Sequence, residues 1–382
     1  MNNDPLPLLW LYGPSGVGKS SVGWEVFAQL SRSGVRTVFL DGDQIGLCHP
    51  VPEGGPHRVR ARNLAAMWPN LRREGAQCVV LSGFVDTPEE VREYTELLPD
   101  AALTLCRLRV GTAELKERFL ARGWRPDLAD EAVAEAESLD RGAFAELCVD
   151  TDGLAVSETA RLVRERAGGW PRAASAATPG GFTPHPPASR GDAAPIPVLW
   201  FSGATAVGKS TVGYEVFSQV FRAGVRAAYV DVKQIGALRP AADDDPGRHR
   251  LKARNLAAVW AGYRAAGARC LIVSGDADPD DTVRGYAELL PGSSVTVCRL
   301  HAGPATLADR VARRGRGEGP AMPGDELRGL GPEPLRRIAE RAARDAEALE
   351  RAATGDLRID TDGRSAQDVA AEVRGIWNPI LT

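Results

Sequence analysis

The sequence predicts an α/β protein built from two tandem copies of one unit, each a parallel sheet with helices on both faces. Three observations carry this prediction. First, residues 5–50 align with 195–240 at a constant offset of 190, with 24 of 46 positions identical. "ARNLAA" at 61–66 returns at 253–258, "ELLP" at 96–99 at 288–291, and "VDTDG" at 149–153 as "IDTDG" at 359–363. A period that long is a duplicated domain rather than a solenoid. Second, short β-branched or apolar runs alternate with helical patterns. Third, the strand runs are almost continuously apolar, as in parallel sheets buried on both sides.

In the first copy, strands are expected at 8–12, 36–40, 78–82, 102–108 and 147–151, with helices at 18–33, 57–74 and 155–167 and helical stretches after the third and fourth strands. The units are expected at 1–167 and 195–382. Between them lies 168–194, rich in Ala, Pro, Gly and Ser, which reads as a flexible linker. The second copy carries 18 additional residues, the offset growing from 192 to 210 between Gly315 and Glu347.

The 382 residues are comfortable for two cores. The net charge of −3 gives no basic footprint for nucleic acid and no polybasic membrane patch. No apolar run is long enough to span a bilayer. "MNNDPLPLLW" has an acidic residue where a signal peptide needs positive charge, so a cytoplasmic protein is expected. The six cysteines form no CxxC pair, and Cys78, Cys106, Cys270 and Cys298 lie in apolar runs, which reads as buried reduced thiols.

Gly13, Gly18, Lys19 and Ser20 complete GxxxxGK[ST] after a strand and before a helix, the context this phosphate loop requires. Its backbone (Gly13, Ser15, Gly16, Val17, Gly18) and the Ser20–Ser21 helix start would wrap phosphate oxygens. Lys19 would reach the β- and γ-phosphates, and the Ser20 hydroxyl would ligate Mg2+. The second copy repeats the loop with Gly203, Gly208, Lys209, Ser210 and Thr211, and has Ala206 in place of Gly16. GxGxxG is absent from these loops, so a dinucleotide fingerprint does not apply.

"FLDGDQIG" ends the second strand with Asp41 and Asp43 two apart, on one side of the chain beside the phosphate loop. A carboxylate there can join the Mg2+ shell, orient an acceptor hydroxyl or accept its proton. An Asp-Gly turn would favour the same residues. The copy keeps Asp231 but has Lys233 for Asp43. Arg60 and Asn63 share a helix face, matched by Lys252 and Asn255; a substrate role competes here with a solvated basic face. Trp68 and Trp260 read as packing residues. Arg118 and Arg122, matched by Arg310 and Arg314, stand at i, i+4 and could close over a transferring phosphoryl group, or pair with Glu114 and Glu117. "WRPDL" after them reads as a mobile lid.

Together, the phosphate loop, "LDGDQIG", the RxxN helix, the R-x-x-x-R helix and the late "VDTDG" resemble the small P-loop kinases. The likeness is to adenylylsulfate kinases, with gluconate kinases, shikimate kinases and chloramphenicol phosphotransferase as cousins. It covers nearly all of each copy and none of the linker. It implies two tandem P-loop kinase-like domains, each with strand order 2-3-1-4-5, and ATP-Mg2+ phosphorylation of a small molecule's hydroxyl. By position it implies that Asp41 and Asp43 serve acceptor and metal, and that Arg60 and Asn63 touch the acceptor. Gly83 falls in the region of the shikimate kinases' glycine triplet and is expected to bind substrate, and Asp86, matched by Asp278, sits where those enzymes vary and is expected to contribute to acceptor choice.

The expected protein is therefore an ATP-dependent kinase whose catalytic residues are Lys19, Asp41, Asp43, Arg118 and Arg122, with metal held by Ser20 and Asp41, or Ser210 and Asp231. Its partner is a small-molecule acceptor, with the copies paired within the chain or between chains. The second copy is expected to hold nucleotide or only to support the first. Two other classes stay open: a nucleotide-binding regulatory protein that phosphorylates nothing, and a nucleic-acid 5′-hydroxyl kinase, which the acidic charge opposes.

Overall fold

The computed structural model describes residues 4–121, 126–142, 144–171, 194–275, 280–319 and 323–377. The first half runs β1 (Leu6–Tyr12), α1 (Lys19–Arg32), β2 (Thr37–Asp41), β3 (Cys48–His49), α2 (Gly55–Arg73), β4 (Cys78–Ser82), α3 (Pro88–Leu97), β5 (Ala101–Arg109), α4 (Thr112–Leu120), α5 (Ala129–Arg141), β6 (Leu147–Asp150) and α6 (Val156–Arg166). The second runs β7 (Ile196–Ser202), α7 (Lys209–Arg222), β8 (Ala227–Asp231), β9 (Ala237–Arg239), α8 (His249–Ala265), β10 (Cys270–Ser274), α9 (Asp280–Ala287), β11 (Ser293–His301), α10 (Pro304–Gly315), α11 (Pro332–Arg351), β12 (Leu357–Asp360) and α12 (Ala366–Ile376). Arg122 and Asp278, most of the linker and part of the "WRPDL" segment lie outside the described residues.

Two six-stranded sheets result, in the orders β6-β5-β1-β4-β2-β9 and β12-β11-β7-β10-β8-β3. Within each half the pairings are parallel, with Leu9 opposite both Val80 and Thr104. Every residue of β2, β4, β8 and β10 is buried, which is why these strands read as unbroken apolar runs.

The sixth strand of each sheet comes from the other half. β9 lies antiparallel on β2, with Leu238 opposite Val38. β3 lies antiparallel on β8, with Cys48 opposite Ala228. These residues are equivalent at the offset of 190, so the exchange is reciprocal and in the same register. It makes the sheets mixed rather than purely parallel. Strands of two and three residues are too short to show a period, and nothing in "LCHP" or "ALRP" reveals the pairing.

The same face joins the helices. One continuous apolar cluster runs from Trp10, Leu64, Met67 and Trp68 to Trp200, Leu256, Val259 and Tyr263. Trp68 and Trp260 are both buried in it. Arg254 pairs with Glu74 at 2.8 Å, and Asn70 Nδ2 donates to Asn255 Oδ1 at 3.1 Å. The outer face of each sheet carries its own separate cluster.

Candidate functional site

The loop between β1 and α1 is shaped by its glycines. Gly13 has φ of 145°, and a Cβ on it would stand 2.4 Å from the Leu108 carbonyl oxygen. Only glycine lets the loop lie this close to β5. Lys19 folds back over the loop, its Nζ donating to the carbonyls of Gly13 at 2.7 Å and Pro14 at 3.0 Å. The Phe84 ring centroid lies 6.0 Å from that ammonium.

β2 delivers Asp41 to the same edge. Ser20 Oγ donates to Asp41 Oδ2 at 2.7 Å, and Ser82 Oγ, at the end of β4, approaches that oxygen at 3.3 Å. Burial, and secondarily the neighbouring Asp43, push the Asp41 carboxyl above its ordinary range. A hydroxyl, a carboxylate and a nearby second hydroxyl form an all-oxygen donor set, which suits a hard divalent cation. Among the described residues there is no cluster of three His, Cys, Asp or Glu that could hold a metal alone. Ser20 and Asp41 are the residues that would hold Mg2+, and their oxygens fit it.

Asp43 is exposed, and its carboxylate meets Arg60 of α2 at 2.8 Å. Beside it, His57 is nearly buried, with Nε2 3.6 Å from Glu90 Oε1 and Nδ1 3.4 Å from Tyr94 OH. Burial and, to a lesser extent, the Arg60 charge lower the His57 pKa, while Glu90 opposes that shift. Asn63 is placed differently from Arg60: it is fully buried, its Nδ2 donates to the Ile45 carbonyl at 2.8 Å, and its Oδ1 faces Gly262 of α8. Its amide is spent on holding the loop after β2 and on the contact between halves. Gly83 is buried beside Gly42, its carbonyl 3.4 Å from Trp10 Nε1. Asp86 is exposed, and its carboxyl is raised by partial burial and by Glu90.

Arg118 does reach the phosphate loop. It donates to the Val17 carbonyl at 3.4 Å, to Thr151 Oγ1 at 2.9 Å and to the Thr151 carbonyl at 2.7 Å, and it pairs with Glu114. It thus clamps the loop to the segment after β6.

Glu135 of α5 carries no repeat signature, since Asp345 stands at the equivalent position. Its Oε2 accepts from the Ser15 backbone N–H at 2.9 Å, so a carboxylate occupies a donor of the phosphate cradle. Burial raises its pKa, with Lys19 and Asp86 among the charges acting on it. α5 is held in this position by Arg107, which is buried and donates to the Leu139 carbonyl at 2.8 Å and to Asp140 at 2.7 Å. Ser82, His57 and Tyr94 could have been found in the sequence, because Ser274, His249 and Tyr286 repeat them.

The second loop has the same frame. Ser210 Oγ meets Asp231 Oδ2 at 2.6 Å, Ser274 Oγ approaches it at 3.3 Å, and Lys209 donates to the Gly203 and Ala204 carbonyls. Ala206 keeps the left-handed backbone of Gly16, with φ of 65°. Arg310 repeats the clamp on Val207 at 2.8 Å and on Thr361. The differences lie after the second strand and on the following helix: Lys233 is exposed where Asp43 stands, and Lys252 is buried where Arg60 stands.

Residues 7–110 match the family model of adenylylsulphate kinase. The adenylylsulphate kinase match runs from β1 through β5, and so contains the loop, Asp41, Asp43, Arg60 and Asp86 but neither Arg118 nor Glu135. The adenylyl-sulfate kinase of Marinobacter nauticus is 30% identical over 122 residues, 27% of this chain and 57% of that protein. That of Shewanella amazonensis is 28% identical over 177 residues, 41% of this chain and 82% of that protein. With the first of these relatives, as with most of the others, the chain spans little more than half the length of the curated protein it matches. Among solved structures, the Mycobacterium tuberculosis APS kinase CysC in complex with AMPPNP and APS is similar, with a TM-score of 0.33 and 19% identity over 43% of this chain and 99% of that one. No helix among the described residues is long and apolar enough to cross a membrane.

Proposed function

We propose that the first half, residues 1–167, is an ATP-dependent phosphotransferase that moves the γ-phosphoryl group to a hydroxyl of a small molecule. The observation that carries this is the convergence of Lys19, the Ser20–Asp41 contact and the Asp43–Arg60 pair at one sheet edge. The adenylylsulphate kinase match over the same residues supports it. The second half, 195–382, joined through 168–194, holds nucleotide but lacks the acceptor carboxylate. The two halves act as one unit within the chain. Free cysteines, five of them buried, suit the cytoplasm.

Phosphoryl transfer asks the protein mainly for positioning and for charge neutralisation. The N–H groups of residues 15–21 and the Lys19 ammonium bind and orient the β- and γ-phosphates. Ser20 and Asp41 hold Mg2+, which supplies charge stabilisation on the phosphates when bound. Asp43 orients the acceptor hydroxyl and takes its proton, and Arg60 keeps the Asp43 carboxylate aimed. Gly83 and Asp86 border the acceptor, and Arg118 fixes the loop. In the second half Gly203, Gly208, Lys209, Ser210 and Thr211 cradle phosphate, with Ser210 and Asp231 for metal.

The direct test is a screen of hydroxyl acceptors read by ADP release and by mass of the product, in wild type, Lys19→Ala and Lys209→Ala. An acceptor phosphorylated by wild type and lost in Lys19→Ala is expected; turnover that survives Lys19→Ala and dies in Lys209→Ala would reverse the assignment of the halves. Asp43→Asn is expected to lower kcat with nucleotide affinity unchanged, because Asp43 faces the acceptor and not the phosphate loop. A parallel loss of nucleotide binding would place Asp43 elsewhere.

Glu135 supplies a further expectation. A phosphate entering the cradle must displace its carboxylate from Ser15, a charge-assisted contact worth about 1.5 kcal/mol. Glu135→Ala should therefore tighten nucleotide binding roughly tenfold, read by calorimetry. Unchanged or weaker binding would show that the carboxylate does not compete.

A further inference from the structure

The two phosphate loops are connected by the exchanged strands. Residues 232–236 lead from Asp231 directly into β9, which hydrogen-bonds along β2, the strand that ends at Asp41. Residues 42–47 lead from Asp41 into β3, which lies on β8, the strand that ends at Asp231. Each candidate metal aspartate is thus followed, within one short connector, by the edge strand of the other aspartate's sheet.

The connectors are gripped from the helix pair. Asn255 Nδ2 holds the Ile235 carbonyl at 2.6 Å, and its Oδ1 accepts from Asn70 of α2 at 3.1 Å. Asn63 Nδ2 holds the Ile45 carbonyl at 2.8 Å, with its Oδ1 directed at Gly262 of α8. Asn70 and Gly262 are equivalent positions at the offset of 192. Each connector is therefore tied to an asparagine that touches the opposite helix. A bond to the aspartate side chain adds to this: Lys233 N–H donates to Asp231 Oδ1 at 3.0 Å, so a ligand that repositions Asp231 acts directly on the start of the connector.

We propose that the second phosphate loop is an effector site for a nucleoside triphosphate, and that its occupancy strengthens nucleotide binding at the first loop through the exchanged strands. The inference rests on both loops holding nucleotide and on the first half carrying the transfer. Phosphate and metal at Ser210 and Asp231 fix residues 232–236 and with them β9, which borders β2. A ligand arriving at Asp41 then meets a strand already held in place. Ordering done for one ligand is not done again for the next, which is positive coupling. Lys233 in place of Asp43 leaves the second site without an acceptor carboxylate, so its nucleotide persists as a signal.

Coupling free energy is reciprocal, and this makes the test strict. Full-length wild type, Lys19→Ala, Lys209→Ala and Asn70→Ala, each checked for folding by circular dichroism, are titrated calorimetrically with Mg2+ and a non-hydrolysable ATP analogue. Two sites are expected in wild type. In Lys209→Ala the first site should weaken by roughly 5- to 150-fold, and in Lys19→Ala the second should weaken by the same factor. Asn70→Ala, which touches neither loop, should keep both sites and reduce the factor. Affinities in the single-loop variants equal to those of wild type, or no binding at all in a folded Lys19→Ala, would overturn the proposal. An undiminished factor in Asn70→Ala would overturn its route. Failure of the phosphotransferase assignment looks different: coupled sites in the titration, but no phosphorylated product with any acceptor.

Discussion

Lys19→Ala should cut phosphoryl transfer on the order of 10²–10³-fold, about 2.7–4 kcal/mol of transition-state stabilisation. In this structure the Lys19 ammonium bridges two carbonyls of its own loop, Gly13 and Pro14, and so stands over the position the phosphates would take. Charge on the transferring group is what the site must neutralise, and Arg118 is engaged on Val17 and Thr151. The loss should appear in kcat/KM for ATP, while the fold stays intact, because the Arg118 clamp on Val17 and the close approach of Gly13 to β5 remain to shape the loop. Full turnover by Lys19→Ala would remove the first loop from the chemistry.

The second large effect concerns stability and changes sign between two glycines. Gly262 and Gly285 both lie in helices, where replacing glycine by alanine ordinarily stabilises by about 0.5–1 kcal/mol. At Gly285 an added Cβ meets nothing within 4 Å, so Gly285→Ala should raise the urea midpoint. At Gly262 the Cβ would stand 2.1 Å from Asn63 Oδ1, and Asn63 cannot turn away without dropping the Ile45 carbonyl. Overpacking and a buried carbonyl left unpaired each cost about 1–3 kcal/mol, which outweighs the helix gain. Gly262→Ala should therefore lower the midpoint. Equal gains at both positions would show that α2 and α8 are not packed as described.

Much of this was legible because parallel strands and phosphate loops leave local marks. "CVVLS" became β4 without a shift at either end, and the 18–33 helix became Lys19–Arg32, since the loop and the apolar periodicity both fix its start. Asp41 was legible for the same reason: the carboxyl end of β2 opens on the sheet edge that carries the loop, and there Asp41 meets Ser20. What escaped was what depends on the other half or on a distant helix. Arg60 and Asn63 share a face in sequence, yet one meets Asp43 and the other turns into the contact with α8. Glu135 arrives from α5, whose counterpart in the second half is longer, so repetition gave no signal there.

The reciprocal exchange also constrains how such a chain can evolve. After a duplication, one copy is ordinarily free to decay or be lost. Here the second copy supplies the strand that covers the β2 edge, and its loss would leave backbone donors and acceptors open to pairing with other chains. A half with Lys233 where the other has Asp43 would still be retained by selection, as the permanent edge of its neighbour's sheet.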